Sequence, residues 1–141
     1  FTLSQFEQAV SDLHKRNIPV ITHLILGLPG ETKEDMLSSV RYVGSLPVTG
    51  IKLQLLHILK GTDLGTAYMA DPFPLFTLEE YCDLIADCIA LLPPEIVIHR
   101  LTGDGPRNLL LAPLWSTDKK RVLNTIQKCL RERDLWQGKN I

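Results

Sequence analysis

Apolar and polar positions alternate along the chain in two rhythms. Leu3, Phe6, Val10 and Leu13 step by three and four, which predicts a helix over Thr2 to Asn17 with Thr2 or Ser4 at its start. Val20 to Leu26 is apolar almost throughout and predicts a strand buried on both faces, as in a parallel sheet. Gly27-Leu28-Pro29-Gly30 breaks that strand. A second helix opens at Thr32, with Asp35 at the capping-box position and a stripe of Met36, Leu37, Val40, Val43 and Leu46. Ile51 to Ile58 reads as a second strand, followed by a turn at Lys60–Asp63 and an irregular connection at Asp71–Pro74. Thr77, with Glu80 three residues on, caps a third helix whose stripe is Tyr81, Leu84, Ile85, Cys88 and Leu91. Ile96 to Leu101 is a third strand and Gly103–Pro106 a turn-rich loop. Thr117 or Asp118 opens a fourth helix with Val122, Ile126, Cys129 and Leu130 inward.

The order α-β-α-β-α-β-α predicts an α/β fold of parallel βα units. Either a small open sheet or one half of a (β/α) barrel satisfies it. Composition supports a globular domain: of 141 residues, 45% are hydrophobic and 22% charged, which excludes a disordered tail. A formal net charge of −1 gives no overall attraction to nucleic acid or anionic lipid. The longest apolar runs fall well short of the roughly 20 residues of a membrane helix, so no membrane is expected as partner. Cys82, Cys88 and Cys129 lack paired spacing and read as reduced, buried thiols of a cytoplasmic protein. A start at Phe1 without a leader segment is expected of an excised or processed piece.

Sites in parallel α/β folds gather at the C-terminal ends of strands. Three segments are expected there: 27–32, 59–63 and 102–107. His23, Ile25 and Gly27 share one strand face, where an apolar side chain beside a bare backbone suits a purine ring. The bland alternative is a βα turn that needs its glycine and proline anyway. Lys52 and Gln54 share a face of the next strand, pointing into a lumen or, alternatively, ending as a solvated lysine and a satisfied core amide. His57, of opposite parity, and the isolated His99 read as structural. Arg100, Asp104 and Arg107 surround a glycine-rich loop and either hold a carboxylate or phosphate or pair among themselves. Trp115 and Trp136 read as packing anchors. From Ser116 onward seven Lys or Arg face three acids, either an RNA-contacting surface or a solvated helix face. No phosphate loop or Gly-x-Gly-x-x-Gly fingerprint is present.

Ile25-Leu26-Gly27-Leu28-Pro29-Gly30-Glu31-Thr32 resembles the fifth-strand motif of radical S-adenosylmethionine (radical SAM) enzymes, in the branch of oxygen-independent coproporphyrinogen oxidase and tRNA methylthiotransferases. Lys60-Gly61-Thr62-Asp63-Leu64 resembles the segment after their sixth strand. Leu53–Thr62, Arg100–Arg107 and Ala112–Ser116 are similar to a subgroup of bacterial radical SAM proteins often labelled Fe-S oxidoreductases.

The resemblance implies the later part of a partial (β/α) TIM-like barrel over residues 1–92, with strands near 20–26 and 51–58. Residues 93–141 would form a C-terminal extension of strand, loop and basic helix. It implies SAM contacts at His23, Ile25, Gly27 and Leu59, and Gln54, Arg100, Asp104 and Arg107 are expected toward the substrate. The parent protein would cleave SAM at a [4Fe-4S] cluster to give a 5′-deoxyadenosyl radical. The cluster motif Cys-x-x-x-Cys-x-x-Cys is absent from this chain, so no catalytic residue, metal or bound cofactor is expected in it, and no activity in isolation. Cys82 and Cys88 stand about 240° apart around a helix and cannot imitate that motif. Expected partners are the N-terminal half of the same polypeptide, packed by the strand before Val20, or a second copy through the same edge. The alternative function is a non-catalytic binding or scaffold domain, with RNA contacts through the basic helix. The glycines near 27, 61 and 103 are expected to share one hollow.

Overall fold

The computed structural model describes all residues, 1–141. Three of its five helices begin with the same local device. In α1 (Leu3–Lys15) the Thr2 hydroxyl accepts the Gln5 N–H at 3.2 Å and the Gln5 side chain accepts the Thr2 N–H at 2.8 Å. Thr32 and Asp35 do the same for α2 (Lys33–Gly44), and Thr77 and Glu80 for α4 (Leu78–Leu91). Each pair satisfies amides that the first turn leaves without intrahelical partners, and in α2 and α4 acids also suit the helix dipole.

β1 (Ile21–Leu26), β2 (Gly50–Leu55) and β4 (Val97–Arg100) form a parallel sheet in the order β1-β2-β4. β2 is central, and β1 and β2 pair in register from Ile21–Gly50 to Leu26–Leu55. Leu26, Ile51, Leu53 and Leu55 are buried in one cluster with Met36, Val40 and Val43 of α2 and Tyr81, Leu84, Ile85 and Cys88 of α4. Both helices therefore cover the same face. The opposite face is open: Ile21 is 42%, Ile25 47% and Val97 57% exposed. This corrects the expectation that the first strand is buried on both faces, because apolar residues on an uncovered face look the same in sequence as buried ones.

The predicted strand over 51–58 is broken. β2 ends at Leu55, and after Leu56 and His57 a short β3 (Ile58–Leu59) pairs antiparallel with β5 (Leu110–Ala112). The turn at 60–63 leads directly into α3 (Asp63–Ala70), which the pattern did not predict. Only Gly65 of α3 is buried, so it carries no stripe to read. That glycine is required, since a Cβ there would lie 2.1 Å from the Leu59 carbonyl oxygen.

α5 (Lys119–Glu132) packs on α4 through Val122 and Ile126. Lys33 of α2, Asp83 and Asp87 of α4, and Arg133 after α5 form one ion cluster, with Lys33–Asp87 at 2.6 Å and Arg133–Asp87 at 2.5 Å. The core cluster includes Val10 from α1 as well as Ile96, Val122 and Ile126 from the segment after residue 92. α1 lies against α2, where Tyr42 donates its hydroxyl to Glu7 at 2.9 Å. No helix is long and apolar enough to cross a membrane.

Candidate functional site

Strand alternation and the β1–β2 register assemble the open face. His23 stands beside Lys52 and Ile25 beside Gln54. The His99 ring covers Gly50, where a Cβ would lie 2.6 Å from ring atoms. The middle of this face is thus polar and basic, while its C-terminal edge offers an exposed apolar side chain next to an amide.

At that edge lies a groove of about 220 Å³ lined by Ile25, Gln54, His57 and the loop Gly103-Asp104-Gly105. His57 supports the loop. Its Nδ1 accepts the Gly105 N–H at 3.2 Å. A Cβ on Gly103 would lie 2.2 Å from Nε2, and one on Gly105 would lie 2.6 Å from Nδ1. Both glycines are needed because the imidazole occupies the space their side chains would fill. Burial pulls the His57 pKa below its ordinary value. In the neutral ring an accepting Nδ1 places the proton on Nε2, which is buried and has no partner.

Asp104 is exposed and doubly paired, with Lys119 at 2.5 Å and Arg100 at 3.3 Å. Its bond from Lys119 holds the carboxyl below the usual carboxylate range. Arg107 donates to the Thr117 carbonyl at 2.6 Å. Behind the same loop a second hollow of about 230 Å³ is bounded by Arg107, Ser116, Thr117 and Lys119. Arg100, Asp104 and Arg107 therefore do gather around one loop, as expected. Lys119 and His57, which sequence reasoning missed as loop partners, complete the group. Nothing in the fifteen-residue gap between Asp104 and Lys119 signals their pairing.

The strand tips do not share a single hollow. Gly27, with φ +89°, faces Phe76, whose ring carbon would lie 3.0 Å from an added Cβ. Its N–H points to the Met36 sulfur at 3.2 Å. Gly27 lines a different cavity of about 500 Å³ between the starts of α2 and α4, with Pro29, Lys33, Phe73 and Phe76. Gly61, with φ +80°, stands in an open turn with nothing within 4 Å of an added Cβ. The expectation of one shared hollow fails: the groove at the Gly103 loop is lined by Ile25 and Gln54, while Gly27 belongs to another cavity and Gly61 to an open turn. Leu59 sits in β3 near the loop, 3.4 Å from a Cβ built on Gly105, and its carbonyl accepts the Thr62 hydroxyl at 2.8 Å. His23 is exposed at mid-strand and lines neither cavity.

Trp115 is a packing anchor: its indole N–H donates to the Phe76 carbonyl at 2.9 Å and its ring centroid is 5.6 Å from that of Tyr81. Cys82 and Cys88 lie buried in α4, and burial pushes both thiols up to about 12. No group of three His, Cys, Asp or Glu side chains is placed to hold a metal ion. The residues of this chain do not fit an iron–sulfur cluster, whose ligands are clustered thiolates.

This parallel α/β arrangement, with one sheet face uncovered and a groove at its strand ends, is a radical SAM-type fold. The chain belongs to the family described as the Radical_SAM C-terminal domain, whose sequence model matches residues 48–132. It is 40% identical over 134 residues to YtqA of Bacillus subtilis, covering 95% of this chain and 42% of that protein. It is 27% identical over 141 residues to a tRNA uridine(34) acetyltransferase of Dehalococcoides mccartyi, covering 94% of this chain and 31% of that protein. The solved structure of Methanocaldococcus infernus Elp3 with an N-terminal deletion (1-46) superposes with a TM-score of 0.78 at 17% identity, covering 97% of this chain and 32% of that one. The chain therefore spans less than half the length of each of these relatives.

Proposed function

We propose that this chain is the later part of a radical SAM barrel, and that the complete polypeptide reductively cleaves SAM at a [4Fe-4S] cluster. The supporting observation is the exposed Ile25 beside Gln54 on an uncovered parallel-sheet face, in a chain of the Radical_SAM C-terminal domain family. Ile25 would pack on the adenine and His23 would reach the ribose. The Leu59 side chain, near the Gly105 loop, would flank the same groove, and Gln54, Arg100, Asp104 and Arg107 would face the substrate. The cluster ligands lie outside this chain, in the Cys-x-x-x-Cys-x-x-Cys segment expected of the parent. When bound in the complete polypeptide the cluster would supply an electron, while this chain would orient SAM and substrate and exclude water. The rest of the polypeptide closes the open face and the unpaired edge of β1, with a second copy as the other candidate for that edge. The reducing cytoplasm suits three free thiols. The reading also keeps the chain in the bacterial Fe-S oxidoreductase subgroup, near coproporphyrinogen oxidase and the tRNA methylthiotransferases.

The test uses the full-length protein, reconstituted and reduced without oxygen. It should convert SAM to methionine and 5′-deoxyadenosine. Ile25→Glu should weaken SAM binding about tenfold or more, equivalent to roughly 1.4 kcal/mol. A cluster-loaded protein that binds no SAM would refute the reading.

A further inference from the structure

The cavity of about 500 Å³ between the starts of α2 and α4 shares no lining residue with the strand-tip groove. Its apolar lining includes the buried Met36 of α2 and Leu84 of α4, together with Phe73 and Phe76 from the irregular segment between α3 and α4. Both rings are held by other contacts. Phe73 meets Tyr68 edge-on with centroids 5.2 Å apart. Phe76 leans on Tyr81 at 6.1 Å and sits against Gly27. The rings therefore border a standing cavity instead of filling it, which spares a ligand much of the cost of ordering them.

Four charged side chains complete the lining: Glu31, Lys33, Glu80 and Asp83. Two of them are spent. Lys33 pairs with Asp83 at 3.3 Å and with Asp87 at 2.6 Å, and Asp83 also takes Arg133 at 2.6 Å. Glu31 and Glu80 form no ion pair. Each engages a single oxygen: Glu31 Oε2 accepts the Leu28 N–H at 3.3 Å, and Glu80 Oε2 accepts the Thr77 N–H at 2.9 Å. Their Oε1 atoms are left to face a ligand. An anion finds nothing comparable. Lys33 is engaged, the capping boxes of Thr32 and Thr77 occupy amides at both helix starts, and acids in both first turns already answer the helix dipoles.

We propose that this cavity binds a small organic cation, with an apolar body against Phe73 and Phe76 and an ammonium group toward Glu31 and Glu80. The ring faces add cation–π attraction, and the carboxylates accept charge-assisted hydrogen bonds. The volume is that of a small-molecule site. This inference is independent of the strand-tip reading, because the two sites have no residue in common.

The experiment titrates three probes of one shape into the full-length protein by calorimetry: 2-phenylethylamine, which is an ammonium at about pH 7, the neutral 2-phenylethanol, and the anion 3-phenylpropionate. The amine should bind with Kd on the order of 1 mM, reasonable for a probe of about nine non-hydrogen atoms. The alcohol should bind about fivefold more weakly, and the carboxylate should not bind detectably. Glu31→Gln/Glu80→Gln keeps an oxygen for each amide but removes the charges. It should erase the advantage of amine over alcohol and leave the alcohol's own affinity unchanged. Phe73→Ala should weaken both probes by about fivefold. A saturating amount of SAM should leave the amine's affinity unchanged. No amine binding, an amine no tighter than the alcohol, tighter binding of the carboxylate, an advantage that survives the double variant, or displacement of the amine by SAM overturns the proposal. Amine binding by a protein that does not bind SAM defeats the strand-tip reading alone.

Discussion

The two faces of the β1-β2-β4 sheet are built from neighbouring residues and do opposite things. On β2, Ile51 and Leu53 point into the helix layer and are fully buried, while Lys52 and Gln54 point away and remain half-buried. On β1, Leu26 is fully buried and Ile25, one residue earlier, is 47% exposed. One face carries stability through close packing; the other carries polar and apolar groups that no helix covers. A fold divided this way tolerates chemistry on one side because the other side holds it together.

The largest expected effect comes from breaking the covered face. Leu53→Ala should destabilise the chain by about 2–5 kcal/mol, since a fully buried leucine leaves a cavity among α2 and α4 side chains. Gln54→Ala, one residue along, should change stability by no more than about 0.5 kcal/mol. Denaturant unfolding of both variants checks the contrast. Equal losses would mean that the open face packs as tightly as the covered one.

A second variant probes the edge of the open face. Gly103→Ala places a Cβ against the His57 ring. The loop must shift, at a cost of about 1–3 kcal/mol, as in other overpacked sites. Pairing it with His57→Ala should recover part of the loss, because the smaller side chain clears the space. A double variant no more stable than Gly103→Ala alone would show that the ring is not the obstacle.

On the covered side, Thr77→Ala removes an N-cap whose hydroxyl accepts the Glu80 N–H at 3.1 Å. About 1 kcal/mol should be lost, read from the unfolding midpoint. A loss near zero would show that α4 is held by burial alone.

Much of this division is legible in the sequence, and the exceptions have physical causes. The Thr32–Asp35 and Thr77–Glu80 pairs are local, so their helices began where expected. The parallel order followed from alternation, and the parity of Ile25 with His23 placed both on one face. What sequence periodicity does not encode is which face a helix covers, so Ile21 and Ile25 read as buried. Nor does it encode contacts that exist only after folding: Lys119 meeting Asp104, His57 filling the space beside Gly103 and Gly105, or Phe76 filling that of Gly27. β3 was absorbed into the preceding strand because Leu56 carries no turn residue to mark the break.

The smallest expected effect is electrostatic and belongs to the open side. Burial lowers the His57 pKa in the folded chain, with Lys119 adding to the effect and Asp104 opposing it. In the unfolded chain the imidazole titrates near its ordinary value of about 6.5. Between that value and the lower folded one, the unfolded state binds more protons, so stability decreases as pH falls through this window. Above pH 7 the contribution is complete. Protonation would also convert Nδ1 from acceptor to donor and break its bond from Gly105, loosening the loop rather than the core. The melting temperature should therefore drop more between pH 7 and pH 5.5 for the parent chain than for His57→Gln. Hydrogen exchange should locate the change at the Gly105 amide, with the amides of Leu53 and Leu55 unaffected. If acid instead exposes the β2 amides first, the two faces are coupled, and the contrast drawn between them does not hold.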